Sequence, residues 1–202
     1  MRCARLNTAI DIPAVLSGLQ SLTENLWQTH VNQCVYQGGW QVLPLRCAAG
    51  HAGSHPVLQS FQLHSDSGRW VNLPVLKSQP ALMNCLDQFI ENDCRLQSAR
   101  LMRLDAGAHI FPHRDPIGSW QQGEARLHFP IISDNRVAFY VAGEAVPMAV
   151  GECWYINAAE EHEVVNDSPL SRVHLVLDVM VNHWLQKRLS KVYPLETAAE
   201  LC

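Results

Sequence analysis

From Ala99 onward, short apolar segments alternate with turn signals every eight to twelve residues. The segments are "ARLMRL", "ARLHFPII", "RVAFYV", "AVPMAV", "ECWYIN", "HEVVN" and "RVHLVLDVMV". Asp105-Ala-Gly107, Asp134-Asn135, Gly143-Glu144, Gly151 and Asn166-Asp167 punctuate them, which is the pattern of an antiparallel barrel or sandwich. The N-terminal half reads differently. Residues 12–30 predict a helix: Asp11 can cap it, Pro13 suits its first turn, and Val15, Leu16, Leu19, Leu22 and Leu26 form a 3.6-residue stripe. Gly38–Arg46 reads as a glycine turn and a short strand, and Cys47–Pro56 as a small-residue loop. Leu82–Asp93 predicts a second helix burying Leu82, Leu86, Phe89 and Ile90, and Trp184–Lys191 a closing one. The fold class is mostly β with flanking helices. The expected plan is a single domain over 1–202: a mainly helical support over 1–98, a β core over 99–183, and a C-terminal helix and tail over 184–202.

Composition narrows the function. A net charge of −4 gives no basic footprint for nucleic acid. No apolar run approaches the length that spans a bilayer, and the N-terminus lacks the apolar core of a signal peptide. Seven cysteines without a C-x-x-C spacing read as reduced thiols, so the expected location is the cytoplasm. The ten histidines are the compositional signal, and five of them lie between His109 and His174.

Strand alternation says how those histidines are presented. Alternate residues of a strand share a face. Arg126 and His128 therefore point one way, with Leu127 and Phe129 opposite; Arg172 and His174 do the same against Val173, Leu175 and Leu177. Such polar faces are either wet or lining a site, and three of them with a histidine each favour a site. The third is His113-x-Asp115, whose side chains can reach one ion from a strand end. With a distant histidine, two His and one carboxylate make the facial triad of non-haem Fe(II) oxygenases, which leaves three positions open. His162 is the candidate third ligand, and Arg172, ten residues beyond, carries a guanidinium fork suited to a carboxylate.

The segments "GAHIFPHRD", "RLHFPI", "GECWYINAAEEHEVVNDS" and "SRVHLVLDV" resemble the aspartyl/asparaginyl β-hydroxylase family of Fe(II)- and 2-oxoglutarate-dependent dioxygenases, over about Leu101 to Val181. The resemblance implies a double-stranded β-helix of the jelly-roll or cupin-like kind, with Fe(II), 2-oxoglutarate and O2 as cofactors. It implies iron ligation by His113, Asp115 and His162, with Arg172 on the distal carboxylate of 2-oxoglutarate. It also places Arg126, His128 and Trp40 against the cosubstrate. Asp115 matches the bacterial amino-acid hydroxylases, since the animal peptidyl enzymes carry glycine there. Met102 departs from the family, whose animal members place a serine on the cosubstrate at that position.

The expected activity is hydroxylation of an unactivated C–H bond in an amino acid, a derivative of one, or an aspartyl/asparaginyl-like residue, with succinate and CO2 as coproducts. The expected partner is a small, carboxylate-bearing substrate. Arg46, at the mouth of the Cys47–Pro56 loop, is a candidate for reading that carboxylate, beside the plainer reading as a surface charge. The alternative function is a non-oxidative cupin-like metal-binding sensor or isomerase. His109 and His174 are expected to be ordinary hydrogen-bonded histidines, Asp178 structural, and Trp120 and Trp154 packing residues.

Overall fold

The structure is a computed structural model that describes residues 1–55, 68–116 and 119–189. Its strands, numbered in chain order, form two antiparallel sheets. The larger runs β1 (Cys3–Ala9), β11 (Glu152–Ile156), β8 (Glu124–Ile132), β13 (Arg172–Met180), β6 (Leu96–Leu104), β4 (Trp40–Ala48) and β2 (Gln28–Thr29), with β5 (Trp70–Asn72) also on β4. The smaller runs β10 (Glu144–Ala145), β9 (Val137–Val141), β12 (His162–Asn166), β7 (His109–His113) and β3 (Tyr36–Gln37). This is a double-stranded β-helix.

The period-two pattern sorts side chains onto the two faces of the large sheet. Leu43, Leu101, Leu127, Phe129, Leu175 and Leu177 face outward. They pack against helices α1 (Ile12–Leu19), α2 (Pro74–Lys77), α3 (Pro80–Ile90) and α4 (His183–Leu189), through residues such as Val15, Leu76, Leu86, Phe89 and Leu185. Each such side chain contributes roughly 1.5–3 kcal/mol by leaving water. The inner face looks across to the small sheet. There Trp40, Ile110, Phe139, Trp154, Ile156 and Val164 form a second apolar cluster, and the polar residues of β6, β8 and β13 share that face. With helices closing one side and the small sheet the other, β13 is buried along almost its whole length.

Several expectations change. The 1–98 segment is not mainly helical: it supplies β1 to β5 and the start of β6. The alternation in "CARLNTA", which buries Ala4 and Leu6 and exposes Arg5, is the overlooked signal of an edge strand that pairs with β11. The 12–30 helix stops at Leu19. Asp11 does cap it, accepting from Ala14 N at 3.1 Å, but Ser21 then folds back, donating to Gly18 O through both its N–H and its hydroxyl. The chain must turn there to lay Gln28 and Thr29 beside β4, which leaves Leu26 exposed. Ile90, at the end of α3, is exposed rather than buried. Of "AVPMAV" only Ala145 joins a strand, since Pro147 has no N–H for a ladder. Gly38 does make the predicted turn: its φ is +84°, and a Cβ would meet the Cβ of Ala108 at 2.7 Å. Pro56 and residues 190–191, which end two of the predicted segments, lie outside the described residues.

Candidate active site

β7 and β12 are neighbours, and their register sets His162 opposite His113. The two rings lie 4.2 Å apart between centroids. Asp115 follows just beyond the end of β7, where its N–H donates to Ala158 O at 2.8 Å. One donor atom from each of His113, Asp115 and His162 lies within 4.8 Å of the others. The Nδ1–H of His113 donates to Phe111 O at 2.8 Å, and that of His162 to Glu160 O at 3.0 Å. A carbonyl only accepts, so each Nε2 keeps its lone pair for an ion. Burial pushes the Asp115 carboxyl up, but Arg126, His162 and His113 more than reverse this and hold it ionised.

Behind Asp115 runs a buried charge network built on β8, β13 and β6. Arg126 donates through Nη1 to Asp115 and through Nε to Asp178 Oδ1 at 2.8 Å. The other oxygen of Asp178 accepts from Arg100 Nη1 at 2.6 Å and from Ser98 Oγ at 2.7 Å. Asp178 faces Arg126 across the β13–β8 ladder and Ser98 across the β13–β6 ladder, so strand register assembles the network. Burial raises the Asp178 carboxyl, yet its two guanidinium partners pull it well below the carboxylate range.

Arg172 is different. It is buried, and burial alone pushes it down to about 9. It is therefore still charged at neutral pH. Its Nη2 donates to His174 Nδ1 at 2.7 Å, its Nε has no partner, and no carboxylate among the described residues pairs with it. His128, also buried, leaves Nδ1 without a partner, and Trp40 leaves Nε1 without one. All three residues line one cavity of about 220 Å³, together with the His113–Asp115–His162 cluster. An unmatched buried donor costs about 1–3 kcal/mol, so the cavity is built for an oxygen-rich, anionic ligand beside an ion. The His113, Asp115 and His162 donors with the unpartnered nitrogens of Arg172, His128 and Trp40 fit a divalent metal beside an anionic oxygen ligand, and Fe(II) with 2-oxoglutarate meets that description.

The structure thus gathers seven of the eight sequence candidates: His113, Asp115, His162, Arg172, Arg126, His128 and Trp40. It does not bring Arg46 to them. β4 continues past Arg46 to Ala48, so this residue lies inside the strand rather than at a loop mouth. Its guanidinium is used on Leu96 O at 3.2 Å and Asn72 Oδ1 at 2.5 Å, and it does not line the cavity. His109 pairs with Glu163 at 3.1 Å, away from the cluster. Trp120 packs on the outer core and Trp154 on the inner one. Sequence reasoning missed Arg100, His30 and Asn32 on the cavity wall. Arg100 shares strand parity with Met102, a usable signal. His30 was hidden by the over-long helix; it stacks on Trp40 at 3.7 Å with a 14° interplanar angle.

Two histidines, one aspartate and a buried arginine thus converge between the sheets of an antiparallel double-stranded β-helix. The chain belongs to the aspartyl/asparaginyl β-hydroxylase family, whose model matches residues 14–182. It is 30% identical over 146 residues to L-proline cis-3-hydroxylase 1 of Streptomyces sp, covering 70% of this chain and 47% of that protein. It is 25% identical over 142 residues to L-proline cis-4-hydroxylase of Rhizobium meliloti (strain 1021), covering 70% and 48%. The chain thus spans about half the length of these curated relatives. A solved oxidoreductase of the 2OG-Fe(II) oxygenase family from Burkholderia pseudomallei shares the fold, with a TM-score of 0.52 and 16% identity over 84% of this chain and 78% of that one. No helix among the described residues is long and apolar enough to cross a membrane.

The buried histidines carry a pH prediction. Burial lowers His30 and His162 from an ordinary 6.5 to about 4, and takes His128 and His174 well below 6.5. The unfolded chain therefore binds more protons than the folded one in acid, and stability falls as pH falls. The melting temperature of the metal-free protein should start to drop near pH 6.5 and fall steadily to pH 4. A melting temperature that stays flat across that window in a pH series would show that these rings are not buried neutral.

Proposed function

We propose that this chain is an Fe(II)- and 2-oxoglutarate-dependent hydroxylase of a small, carboxylate-bearing amino acid or amino-acid derivative. The observation that carries the reading is the meeting, in one cavity, of the His113–Asp115–His162 cluster with a buried arginine that has no carboxylate partner among the described residues. His113, Asp115 and His162 would hold the metal. Arg172 would hold the distal carboxylate of 2-oxoglutarate, with Arg126, His128 and Trp40 around the rest of it. When bound, the metal and cosubstrate supply the power to oxidise an unactivated C–H bond with O2, releasing succinate and CO2.

The protein's own residues position and protect. Phe111 and Glu160 carbonyls fix the ligand tautomers and ring orientations. Arg126 holds Asp115 charged and in place from behind, itself held by Asp178. Val42, Ile110, Phe139, Ile156 and Val164 give the cavity apolar walls that exclude water from the reacting carbon. The L-proline hydroxylases among the relatives support an amino-acid substrate. A non-oxidative sensor or isomerase would have no need for the arginine clamp, and the family match stands against that alternative.

The test is succinate release from 2-oxoglutarate by iron-loaded protein, with and without candidate amino acids. Failure to release succinate with any of them would contradict the reading. A variant sharpens it. Arg172→Met should weaken 2-oxoglutarate binding by roughly 2–5 kcal/mol, because a desolvated carboxylate loses its ion-pair partner. The same variant should leave the melting temperature of the ligand-free protein unchanged or raised, since it removes a buried charge without a counter-ion. Calorimetric titration with 2-oxoglutarate and a thermal melt measure both; unchanged affinity would remove Arg172 from the site.

A further inference from the structure

If Arg172 is the clamp of the hydroxylase reading above, on which this inference rests, it must point one way and still keep its charge for the ligand. The ordinary holder of a buried arginine is a carboxylate. Arg126 shows that solution, with Asp115 and Asp178 as its partners. A guanidinium held so is already neutralised and offers a second anion little.

Arg172 is held differently. Its Nη2 meets His174 Nδ1 at 2.7 Å. A guanidinium only donates, so this ring nitrogen is the acceptor, and His174 is uncharged with its proton on Nε2. The second hold is an aromatic face. Arg172 Cζ lies 5.8 Å from the ring centroid of Phe139, which β9 brings from the small sheet. The hydrogen bond fixes where the fork points, and the ring limits its tilt. Neither contact brings a negative charge. Nε keeps no partner, and Arg172 lines the cavity.

His174 touches the arginine without lining the cavity itself. It follows Arg172 by two residues on β13, so both side chains lie on the inner face. It is buried, and the His128 ring packs edge-to-face against it with centroids 5.7 Å apart. Across the ladder β6 sets Met102 opposite it. The thioether of Met102 is a weak acceptor, which leaves the imidazole as the stronger one between these two residues.

We propose that His174 is a positioning residue of the cosubstrate site: it aims the Arg172 fork through an uncharged acceptor and so leaves the guanidinium charge to the distal carboxylate of 2-oxoglutarate. A hydrocarbon at 174 would spare the charge but leave the fork unaimed. A carboxylate there would aim the fork but cancel its charge.

Three variants separate these effects. His174→Phe keeps a ring and loses the acceptor. His174→Asn puts an amide oxygen where Nδ1 stands, and His174→Asp puts a carboxylate oxygen there, ionised beside the guanidinium. Each is loaded with Mn(II), which supports no turnover, and titrated calorimetrically with 2-oxoglutarate beside wild type and Arg172→Met. Thermal melts of the unloaded proteins report folding. His174→Asn should bind within threefold of wild type. His174→Phe should bind at least tenfold more weakly, and His174→Asp at least a hundredfold more weakly. Mn(II) affinity should stay within threefold of wild type in all three. His174→Asp should melt no lower than His174→Phe, since it gives a buried cation its counter-ion. A merely structural histidine would instead make 2-oxoglutarate affinity follow melting temperature. That result, or a loss below tenfold in His174→Phe, or His174→Asp binding as well as His174→Asn, overturns the inference. Should His174→Phe not fold, the gap between the Asn and Asp variants decides alone. A wild-type protein that binds no 2-oxoglutarate takes the hydroxylase reading down as well. Weak binding in Arg172→Met without the expected loss in His174→Phe and His174→Asp removes only the role of His174.

Discussion

His162→Ala protein is expected to retain no stoichiometric Fe(II) and to release no succinate from 2-oxoglutarate. The reason lies in the geometry. His162 sits opposite His113 on paired strands, with its Nδ1 fixed by Glu160 O, so among the described residues its Nε2 is one of two imidazole nitrogens clustered with the Asp115 carboxylate. Removing it leaves one nitrogen and one oxygen, and a two-ligand site holds a labile ion such as Fe(II) weakly. The fold should survive: the strand register is backbone-driven, and the lost ring is flanked by Phe139, stacked on it at 8°. His113→Ala should behave alike. Metal analysis after gel filtration, together with a thermal melt to confirm folding, measures the effect. A folded His162→Ala protein that keeps one iron per chain would place the metal elsewhere.

Asp178→Ala is expected to produce the largest loss of stability. This carboxylate is buried and bridges two buried guanidiniums, Arg100 and Arg126, with Ser98 on the same oxygen as Arg100. Deleting one member of a buried ion network leaves its partners charged and desolvated, which costs about 3–5 kcal/mol. For a chain of this size that corresponds to a melting temperature lower by roughly 6–20 °C. Asp178→Asn should lose less, because an amide oxygen still accepts one hydrogen bond. Metal affinity should fall in both, since Arg126 would lose the partner that aims it at Asp115. Denaturant titration of both variants checks the ranking. A loss under 1 kcal/mol in Asp178→Ala would mean that the arginines find other partners.

The polar half of the site was legible because strand parity is strict. Once β8 and β13 were placed, Arg126 and His128, and Arg172 and His174, had to share the inner face, and the apolar residues between them the outer one. The H-x-D spacing and the distant histidine were equally readable. What could not be read was the contribution of the first half of the chain to the same sheet. A two-residue strand such as Gln28–Thr29 carries no periodicity at all, and the helical stripe before it ran on into a turn. His30 and Asn32 were lost with it. Arg46 failed for a related reason: the sequence gives no sign of where β4 ends, and a strand two residues longer moves this side chain from a loop mouth to hydrogen bonds with neighbouring segments. From the sequence alone Asp178 reads as structural. The structure shows its structural contacts to be the ones that hold Arg126 against Asp115, so its importance depended on pairings that only register reveals.

Metal and 2-oxoglutarate are expected to share one cavity between the two sheets. The most direct test is an anaerobic titration of the metal-free protein with 2-oxoglutarate, with and without one equivalent of Fe(II), followed by calorimetry and by visible absorption. One equivalent of 2-oxoglutarate should bind, tightly only when iron is present, with a charge-transfer absorption that requires both and is absent from His162→Ala. Binding of 2-oxoglutarate that is indifferent to iron, or iron that binds without producing that absorption on addition of 2-oxoglutarate, would contradict the shared cavity.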